Sequence, residues 1–212
     1  MTIVITGTTR GIGAALAKRY REAGESVISL GRGPECTFVD LEDTNSIKMV
    51  RKELADIPID LLICNAGVFL DGDEDIKNGY NSDLWHKTFS INVTSVFLLI
   101  QNLLPNIMAT KGKIAILASQ MGSQKTANGG NYIYRASKAA VINLGRNLAT
   151  DLTRRQIPIG IYHPGWVRTD MGGDKADISV EEASLGLIRR FSELSMKNTG
   201  CFETWNGKKH PF

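Results

Sequence analysis

A tyrosine and a lysine four residues apart, in the stretch YRASK, are the clearest candidates for chemistry in this sequence. Tyr134 and Lys138 share one face of a helix, because residues four apart are neighbours on a helix surface. A free phenol has a pKa near ~10, and an adjacent ammonium lowers it by favouring the phenolate. Such a phenol can protonate a carbonyl oxygen as hydride reaches the carbon. From these residues alone, an amphipathic helix with a surface Tyr and Lys is the alternative.

A second candidate is the glycine-rich segment TGTTRGIG, which follows an apolar run at the start of the chain. Gly7, Gly11 and Gly13 predict a turn from a strand into a helix, whose first N–H groups and dipole attract an anion. A side chain here would hold a pyrophosphate away from the backbone or block helix–sheet packing. The spacing is not the Gly-x-Gly-x-x-Gly dinucleotide fingerprint, so a purely structural turn is the alternative.

Alternating apolar and amphipathic segments predict the framework that positions these residues. The order predicts an α/β fold, with a parallel sheet covered on both faces, in a single domain of residues 1–212. Only about six residues, GRGPEC, separate the second and third strands, and a crossover helix needs about a dozen, so we predict that this helix is missing. Strands are predicted at 2–6, 26–30, 37–40, 59–65, 113–119, 157–163 and 200–205, and helices at 11–23, 44–56, 83–109, 134–154 and 180–194.

Glycines and polar residues stand at the carboxyl ends of five predicted strands. In an open parallel sheet these ends meet along one edge, where ligands bind. The sequence therefore predicts one crevice that contains both the glycine turn and a serine. The residues are Gly7, Asp40, Asn65-Ala66-Gly67, Ser119 and Pro164-Gly165.

In order and spacing, these motifs resemble the short-chain dehydrogenase/reductase family over nearly the whole chain. GGNYIYRASKAAV and the ending GCFETWNGKKHPF are most similar to its small NADP-dependent carbonyl-reductase and C-factor-like members. The resemblance implies a Rossmann-type, doubly wound sheet. The matching motifs are Thr6 to Gly13, Asp40-Leu41, Asn65-Ala66-Gly67, Asn92 in SINVTSVF, Ser119, Tyr134 with Lys138, and PGWVRTDM from Pro164 to Met171.

The resemblance also implies roles for individual residues. Tyr134 would be the general acid in reduction and the base in oxidation, and Lys138 would lower its pKa and bind the nicotinamide ribose. Ser119 would hydrogen-bond the substrate oxygen, and Asn92 would hold a water between Lys138 and solvent. A strand-end cap for Ser119 and a helix-kinking core amide for Asn92 are the alternatives. The implied cofactor-binding set is Gly7, Thr9, Arg10, Gly11, Ile12, Gly13, Arg32, Asp40, Leu41, Asn65, Ala66, Gly67, Tyr134, Lys138, Pro164, Gly165, Val167 and Thr169.

Two arginines indicate which dinucleotide is used. NAD sites often carry an acidic residue about 20 positions after the glycines, whereas the stretch SLGRGP offers Arg32 and no carboxylate. Arg10 lies within the glycine turn, where NADP-using relatives often carry a basic residue. Two guanidinium groups suit a 2′-phosphate, so we expect NADP(H). Two solvated arginines are the alternative.

The substrate side of the crevice is expected to be open. About eight residues join PGWVRTDM to the helix near Val180, where family members often carry a longer covering loop, so bulky or varied carbonyls would fit. Trp166, Met171 and Met121 could line the site or simply pack. We assign Tyr132 to packing or the substrate mouth. The stretch 71–82 lacks the Gly and Glu of a calcium loop and is expected to be an exposed polar loop near the site.

Composition excludes several other classes of function. A net charge of +3 with dispersed basic pairs does not suit a nucleic-acid binder, and three scattered cysteines do not form a disulfide framework. We expect no signal peptide, no membrane span and no metal site.

We expect a cytoplasmic homodimer or homotetramer that transfers hydride between NADPH and a carbonyl or alcohol. A dinucleotide-binding sensor with little turnover is the alternative, and a nucleotide-sugar epimerase would need a larger substrate domain.

Overall fold

The computed structural model describes residues 1–212 and contains a seven-stranded sheet in the order β3-β2-β1-β4-β5-β6-β7. All six strand pairs are parallel, which confirms the predicted α/β, Rossmann-like fold. The strands are β1 (Thr2–Thr6), β2 (Ser26–Gly31), β3 (Thr37–Phe38), β4 (Leu61–Cys64), β5 (Lys113–Leu117), β6 (Ile159–His163) and β7 (Cys201–Thr204). The helices are α1 (Gly11–Glu22), α2 (Thr44–Leu54), α3 (Ser82–Phe89), α4 (Ser95–Thr110), α5 (Tyr132–Leu152) and α6 (Val180–Glu193).

Helices cover both faces of the sheet, so its central strands are apolar on both sides. Within β1, Val4 faces a core shared with α2, α4 and α5, while Ile3 and Ile5 face a core shared with α1 and α6. All four residues of β4 are buried. This two-sided burial explains why the strands are continuous apolar runs rather than alternating ones.

The connection between β2 and β3 contains no helix, as the sequence predicts. Strand β3 has only two residues, and it pairs with the last two residues of β2, Leu30 with Thr37 and Gly31 with Phe38. The chain therefore needs only a tight turn, in which the Cys36 N–H donates to the Gly33 carbonyl at 3.1 Å. A full crossover is required only when a parallel strand runs along its neighbour's whole length.

The segment predicted as one α-helix at 83–109 is not a continuous α-helix. The prediction is wrong for one turn in its middle, which is π-helical. A π-helical turn at Ser90–Thr94 separates α3 from α4, and Asn92 lies at its centre. π-helical turns are rare in proteins, and many of those that occur lie at functional sites. Here the turn places a buried asparagine beside the carboxyl end of β4.

The run from Ser82 to Thr110 is long and apolar enough to span a membrane by length and composition, with a mean hydropathy of 1.4. Within the fold, Leu99, Leu103 and Ile107 of this run are buried in the core beside the sheet. Core helices of globular domains meet the same criterion, so the run is weak evidence for a membrane segment.

The C-terminal tail folds back along β7, the last strand of the sheet. The Thr204 N–H donates to the Lys208 carbonyl, and the His210 N–H donates to the Phe202 carbonyl, both at 2.8 Å. The ring of Phe212 then packs 3.8 Å from the Arg146 guanidinium of α5. These contacts cover the outer edge of β7.

Candidate active site

Strand order reverses between β1 and β4, and this switch point opens a crevice at the carboxyl ends of the strands. The glycine turn between β1 and α1 forms one wall. Gly7 and Gly11 have φ angles of +72° and +57°, which L side chains rarely adopt. A Cβ at Gly13 would collide with the Gly7 carbonyl, so α1 can begin this close to β1 only with glycine there.

The loop that contains Asn65 is locked onto this turn by hydrogen bonds. The Asn65 side-chain amide donates to the carbonyls of Thr6 and Gly7 at 2.9 and 3.0 Å. In return, the Thr6 hydroxyl accepts the N–H groups of Asn65 and Ala66, both at 3.0 Å. The Asn-Ala-Gly motif therefore acts structurally, by fixing two strand ends relative to each other.

The PGWVRT segment after β6 lies against the start of α1. Gly165 has a φ of +92°, and Val167 forms a parallel bridge with Ile178. A Cβ at Gly11 would lie 3.3 Å from the Thr169 methyl group, so this segment packs against the start of α1. Of the predicted residues in this segment, Thr169 thus lies beside the glycine turn, while Gly165 packs against Ile178 and Trp205.

The end of the crevice beside β2 and β3 is open, because a turn rather than a helix joins these two strands. Asp40 and Leu41 follow β3, and the Asp40 carboxylate accepts the Glu42 N–H at 3.0 Å. Thr9 lies against this turn, since a Cβ at Gly33 would overlap its methyl group. Arg32 is exposed and forms no ion pair.

Arg10 does not join Arg32 in this structure. Its guanidinium forms an exposed ion pair with Asp170, which follows Thr169. Asp170 lies 160 positions later in the sequence. That Arg10 and Arg32 bind the same phosphate stays a prediction. Ile12, which was also predicted to bind the cofactor, is partly buried in the first turn of α1. It packs against the core between the sheet and helices α1 and α6.

Asn92 fastens the chain that follows Gly67. Its side-chain amide donates to the Val68 carbonyl at 2.9 Å and to the Ser137 hydroxyl at 3.0 Å. Its carbonyl oxygen accepts the Val68 N–H at 2.8 Å. The side chain is therefore fully used in joining the loop after β4 to α5. The structure supports a positioning role for it.

Lys138 lies buried where three elements meet. Its ammonium donates to the Leu117 carbonyl at the end of β5, at 3.1 Å, and lies 5.6 Å from the centre of the Tyr134 ring. A Cβ at Gly67 would be 3.4 Å from the Lys138 Nζ atom. Burial lowers the pKa of Lys138 to about 8, because the charged form loses its hydration.

Tyr134 is buried in the first turn of α5, and its ring packs 4.8 Å from that of Phe69. Burial raises the pKa of the phenol to about 12; a side-chain interaction with Ser119 lowers it, and the charge of Asp71 raises it further. The net direction is opposite to that expected from Lys138 alone, because the sequence shows the cation but not the burial. The phenol is therefore protonated at neutral pH.

Ser119 occupies the end of β5, one loop away from Tyr134. Its hydroxyl accepts the Met121 N–H at 3.1 Å, which starts the 3-10 turn Gln120–Gly122. A Cβ at Gly122 would overlap the α5 backbone at Lys138, so this turn lies directly on α5. Ser119 thus caps the turn that follows β5, which was the structural alternative, and its hydrogen bond to a substrate oxygen stays a prediction.

Asp71 is the residue that sequence reasoning missed. The stretch 71–82 was expected to be exposed, yet Asp71 is 0 % exposed, and its carboxylate accepts the Ile133 N–H at 2.8 Å. A carboxylate at the start of an acidic, glycine-containing stretch carries no sign of burial. Tyr132 is 41 % exposed and packs edge-on against Tyr80, which fits the packing role among its two expected roles.

The sequence of the region that forms this crevice matches the model of a known protein family. The short chain dehydrogenase model matches residues 1–178, from β1 through the PGWVRT segment. The chain belongs to the short-chain dehydrogenase family.

Several individual short-chain dehydrogenases and related proteins are similar to it. Protein FixR of Bradyrhizobium diazoefficiens is 35% identical over 207 residues, which cover 88% of this chain and 74% of FixR. The C-signal protein of Myxococcus xanthus is 33% identical over 161 residues, 73% of this chain and 93% of that protein. The NADPH-bound carbonyl reductase from chicken fatty liver superposes with a TM-score of 0.88 at 26% identity, covering 100% of this chain and 98% of that one.

His163, at the end of β6 in this short-chain dehydrogenase, is a buried histidine whose Nδ1 atom has no hydrogen-bond partner. Burial lowers its pKa to about 4, and the charges of His210 and Lys138 act in the same direction. The unfolded chain, with a His pKa near ~6.5, therefore binds a proton more readily than the folded chain does.

We expect this histidine to make folding stability depend on pH. Because the folded-state pKa is depressed, stability falls as pH drops from about 6.5 towards 4, by up to about 3 kcal/mol. His163→Gln should flatten this part of the pH dependence, measured by chemical denaturation at several pH values. The exposed His86, changed to Gln, is the matched control and should leave the slope as it is. An unchanged slope in His163→Gln would contradict the assignment.

Proposed function

We propose that this short-chain dehydrogenase reduces carbonyl groups with NADPH, and oxidises the corresponding alcohols, with Tyr134 as proton donor and acceptor. The observation that carries the proposal is the meeting of Tyr134, Lys138 and Ser119 beside the glycine turn. Residues 1–212 would act as one catalytic domain.

The residues present fit a dinucleotide. The turn at Gly7, Gly11 and Gly13 leaves a side-chain-free surface at the N-terminus of α1, where backbone N–H groups and the helix dipole favour a pyrophosphate. Thr169 and Val167 close the opposite side. Asp40 and Leu41 stand where the adenine would lie, and Asn65, Ala66 and Gly67 line the path between.

Lys138 is suited to hold the ribose next to the nicotinamide. An ammonium has three N–H donors, and the protein supplies one acceptor, the Leu117 carbonyl. Ribose hydroxyls would accept the other two. Glycine at position 67 keeps the space beside Nζ free, because a Cβ there would lie 3.4 Å from Nζ.

The bound nicotinamide would supply the hydride, and the protein would manage the proton. Tyr134, which is protonated at neutral pH, would donate its phenolic proton to the substrate oxygen. The Ser119 hydroxyl would hydrogen-bond the same oxygen as negative charge develops on it. The Lys138 ammonium, 5.6 Å from the ring centre, would then stabilise the phenolate.

A preference for NADP rests on Arg32. The guanidinium is exposed, has no ionic partner and belongs to the turn after β2, which no crossover helix covers. A 2′-phosphate would find a free donor fork there. The chicken carbonyl reductase, similar over the whole chain, binds NADPH.

The substrate side of the crevice favours bulky or varied carbonyls. Trp166 and Met171 are about half exposed, and the Trp166 indole N–H donates to the Gly172 carbonyl at 2.8 Å, which fixes the ring on the surface. Only eight residues join Met171 to α6, so no long loop covers the site. The long helices α4 and α5 would pair subunits in a cytoplasmic homodimer or homotetramer.

The test is NADPH consumption against a panel of aromatic, aliphatic and quinone carbonyls, with NADH measured in parallel. We expect turnover with several members of the panel and a higher kcat/KM with NADPH. Tight NADPH binding without consumption by any carbonyl would contradict the proposal and favour a dinucleotide-binding sensor. A higher kcat/KM with NADH would overturn the cofactor assignment alone.

A further inference from the structure

Asp71 connects the loop after β4 to the helix that carries the proposed proton donor. Its carboxylate accepts the Ile133 N–H at 2.8 Å and the Tyr134 N–H at 3.3 Å, while its backbone carbonyl accepts the Asn131 side-chain amide at 3.2 Å. The carboxylate is fully buried. A residue more than 60 positions away in sequence thus caps α5.

No side chain at the start of α5 caps this helix, so the capping acceptor is Asp71. Asn131 precedes α5 in the left-handed conformation, with φ of +47°, and its side chain makes no capping hydrogen bond. The first N–H groups of a helix need acceptors from outside the helix. Since Tyr134 belongs to this first turn, the group that satisfies the turn also fixes the backbone of the phenol.

The segment from Gly67 to Asp71 is held along its length. Asn92 binds both backbone groups of Val68, and the Phe69 ring packs 4.8 Å from that of Tyr134. The same short segment therefore faces Lys138 at Gly67, supports the phenol ring at Phe69 and caps its helix at Asp71.

We propose that Asp71 is a positioning residue, which fixes the first turn of α5, and with it the backbone of Tyr134, through its buried carboxylate. This inference rests on the proposed function, because it assigns Tyr134 as the proton donor. The negative charge of the same carboxylate opposes ionisation of the phenol and so favours the protonated form, which carbonyl reduction consumes.

The charges around the phenol give the direction of the effect. Burial is the largest cause that raises the pKa of Tyr134, and the Asp71 charge adds to it. From α5 itself, the Lys138 ammonium opposes it. From the β5 loop, Ser119 lowers the pKa, and from β6, His163 is neutral above a pKa of about 4. Asn92, from the π-helical turn, is uncharged.

Asp71→Asn separates the charge from the cap. Asparagine and aspartate cap helices about equally well, so the variant keeps an acceptor for the Ile133 N–H and removes the negative charge. The Tyr134 phenol should then ionise at a lower pH, because the Asp71 charge is one of the causes that raise its pKa. The rising limb of the alcohol-oxidation pH profile, which follows ionisation of the base, should move to lower pH as well, with kcat affected more than KM.

The measurement is an ultraviolet titration of tyrosinate, with the Tyr134→Phe titration subtracted from that of the otherwise identical chain. This difference isolates one phenol and needs no turnover. Asp73→Asn, in the same loop, is the control and should leave the ionisation unchanged. An unchanged Tyr134 ionisation in Asp71→Asn would overturn the electrostatic role.

Asp71→Ala tests the cap. We expect Tm to fall by about 2–8 °C, from the loss of a helix cap in a chain of this size, and kcat to fall about 10-fold or more. Asp71→Asn should restore Tm and, at neutral pH, kcat for carbonyl reduction, whereas equal losses in the two variants would contradict the cap. If Tyr134→Phe keeps wild-type turnover, the proposed function fails; if it loses turnover while the Asp71 variants behave as wild type, only this inference fails.

Discussion

Replacing Tyr134 by phenylalanine is expected to reduce carbonyl turnover by roughly 100-fold or more, the usual scale for the loss of a general acid. The change removes one hydroxyl and keeps the ring, which packs 4.8 Å from Phe69, so the fold and the dinucleotide site should persist. The measurement is kcat for a carbonyl identified in the panel, together with the Kd for NADPH by fluorescence titration.

Tyr132 supplies the control for this experiment. It lies two residues away, is 41 % exposed and packs against Tyr80, so Tyr132→Phe should keep turnover within a few-fold. If instead Tyr132→Phe lost turnover and Tyr134→Phe retained it, the assignment of the proton donor would be wrong.

Removing the positive charge of Arg32 is expected to weaken NADPH binding by roughly 10-fold to 100-fold, because a charged hydrogen bond contributes about 1.5–3 kcal/mol. NADH, which has no 2′-phosphate, should bind Arg32→Ala as it binds wild type. Arg32→Asp should be worse for NADPH, through repulsion of the phosphate, and should improve NADH by offering the ribose an acceptor. High salt should narrow the wild-type preference, since exposed charges are screened.

Titration of both cofactors separates this role from others. Arg10→Ala should have the smaller effect, because Arg10 is engaged with Asp170; the exposed Arg154, on the turn after α5, should have none. Equal losses of NADH and NADPH in Arg32→Ala would mean that this arginine supports the turn or the pyrophosphate instead.

The sequence predicts the sheet well because its signals are local. Continuous apolar runs such as LLIC require burial on both sides, and a six-residue connection cannot contain a crossover helix. The crevice is also predictable, because the strand ends of a parallel sheet meet whatever the remaining side chains do.

Other features depend on contacts that no local pattern encodes. The π-helical turn at Asn92 interrupts a segment whose apolar residues continue across it. Asp71 is buried only because a helix that starts more than 60 residues later lacks its own cap. The net pKa of Tyr134 follows its burial rather than its spacing from Lys138.

The two edge strands of the sheet affect the tendency of the protein to aggregate at high concentration. An exposed strand with free N–H and C=O groups is a template on which another chain can add a strand, and long free margins promote aggregation. At one margin β3 offers only two residues, and at the other the segment around Lys208 and His210 already occupies backbone groups of β7. Few unpaired N–H and C=O groups are therefore available for another chain to add a strand. Removing the residues after Asn206 would expose the outer edge of β7 and create such a template.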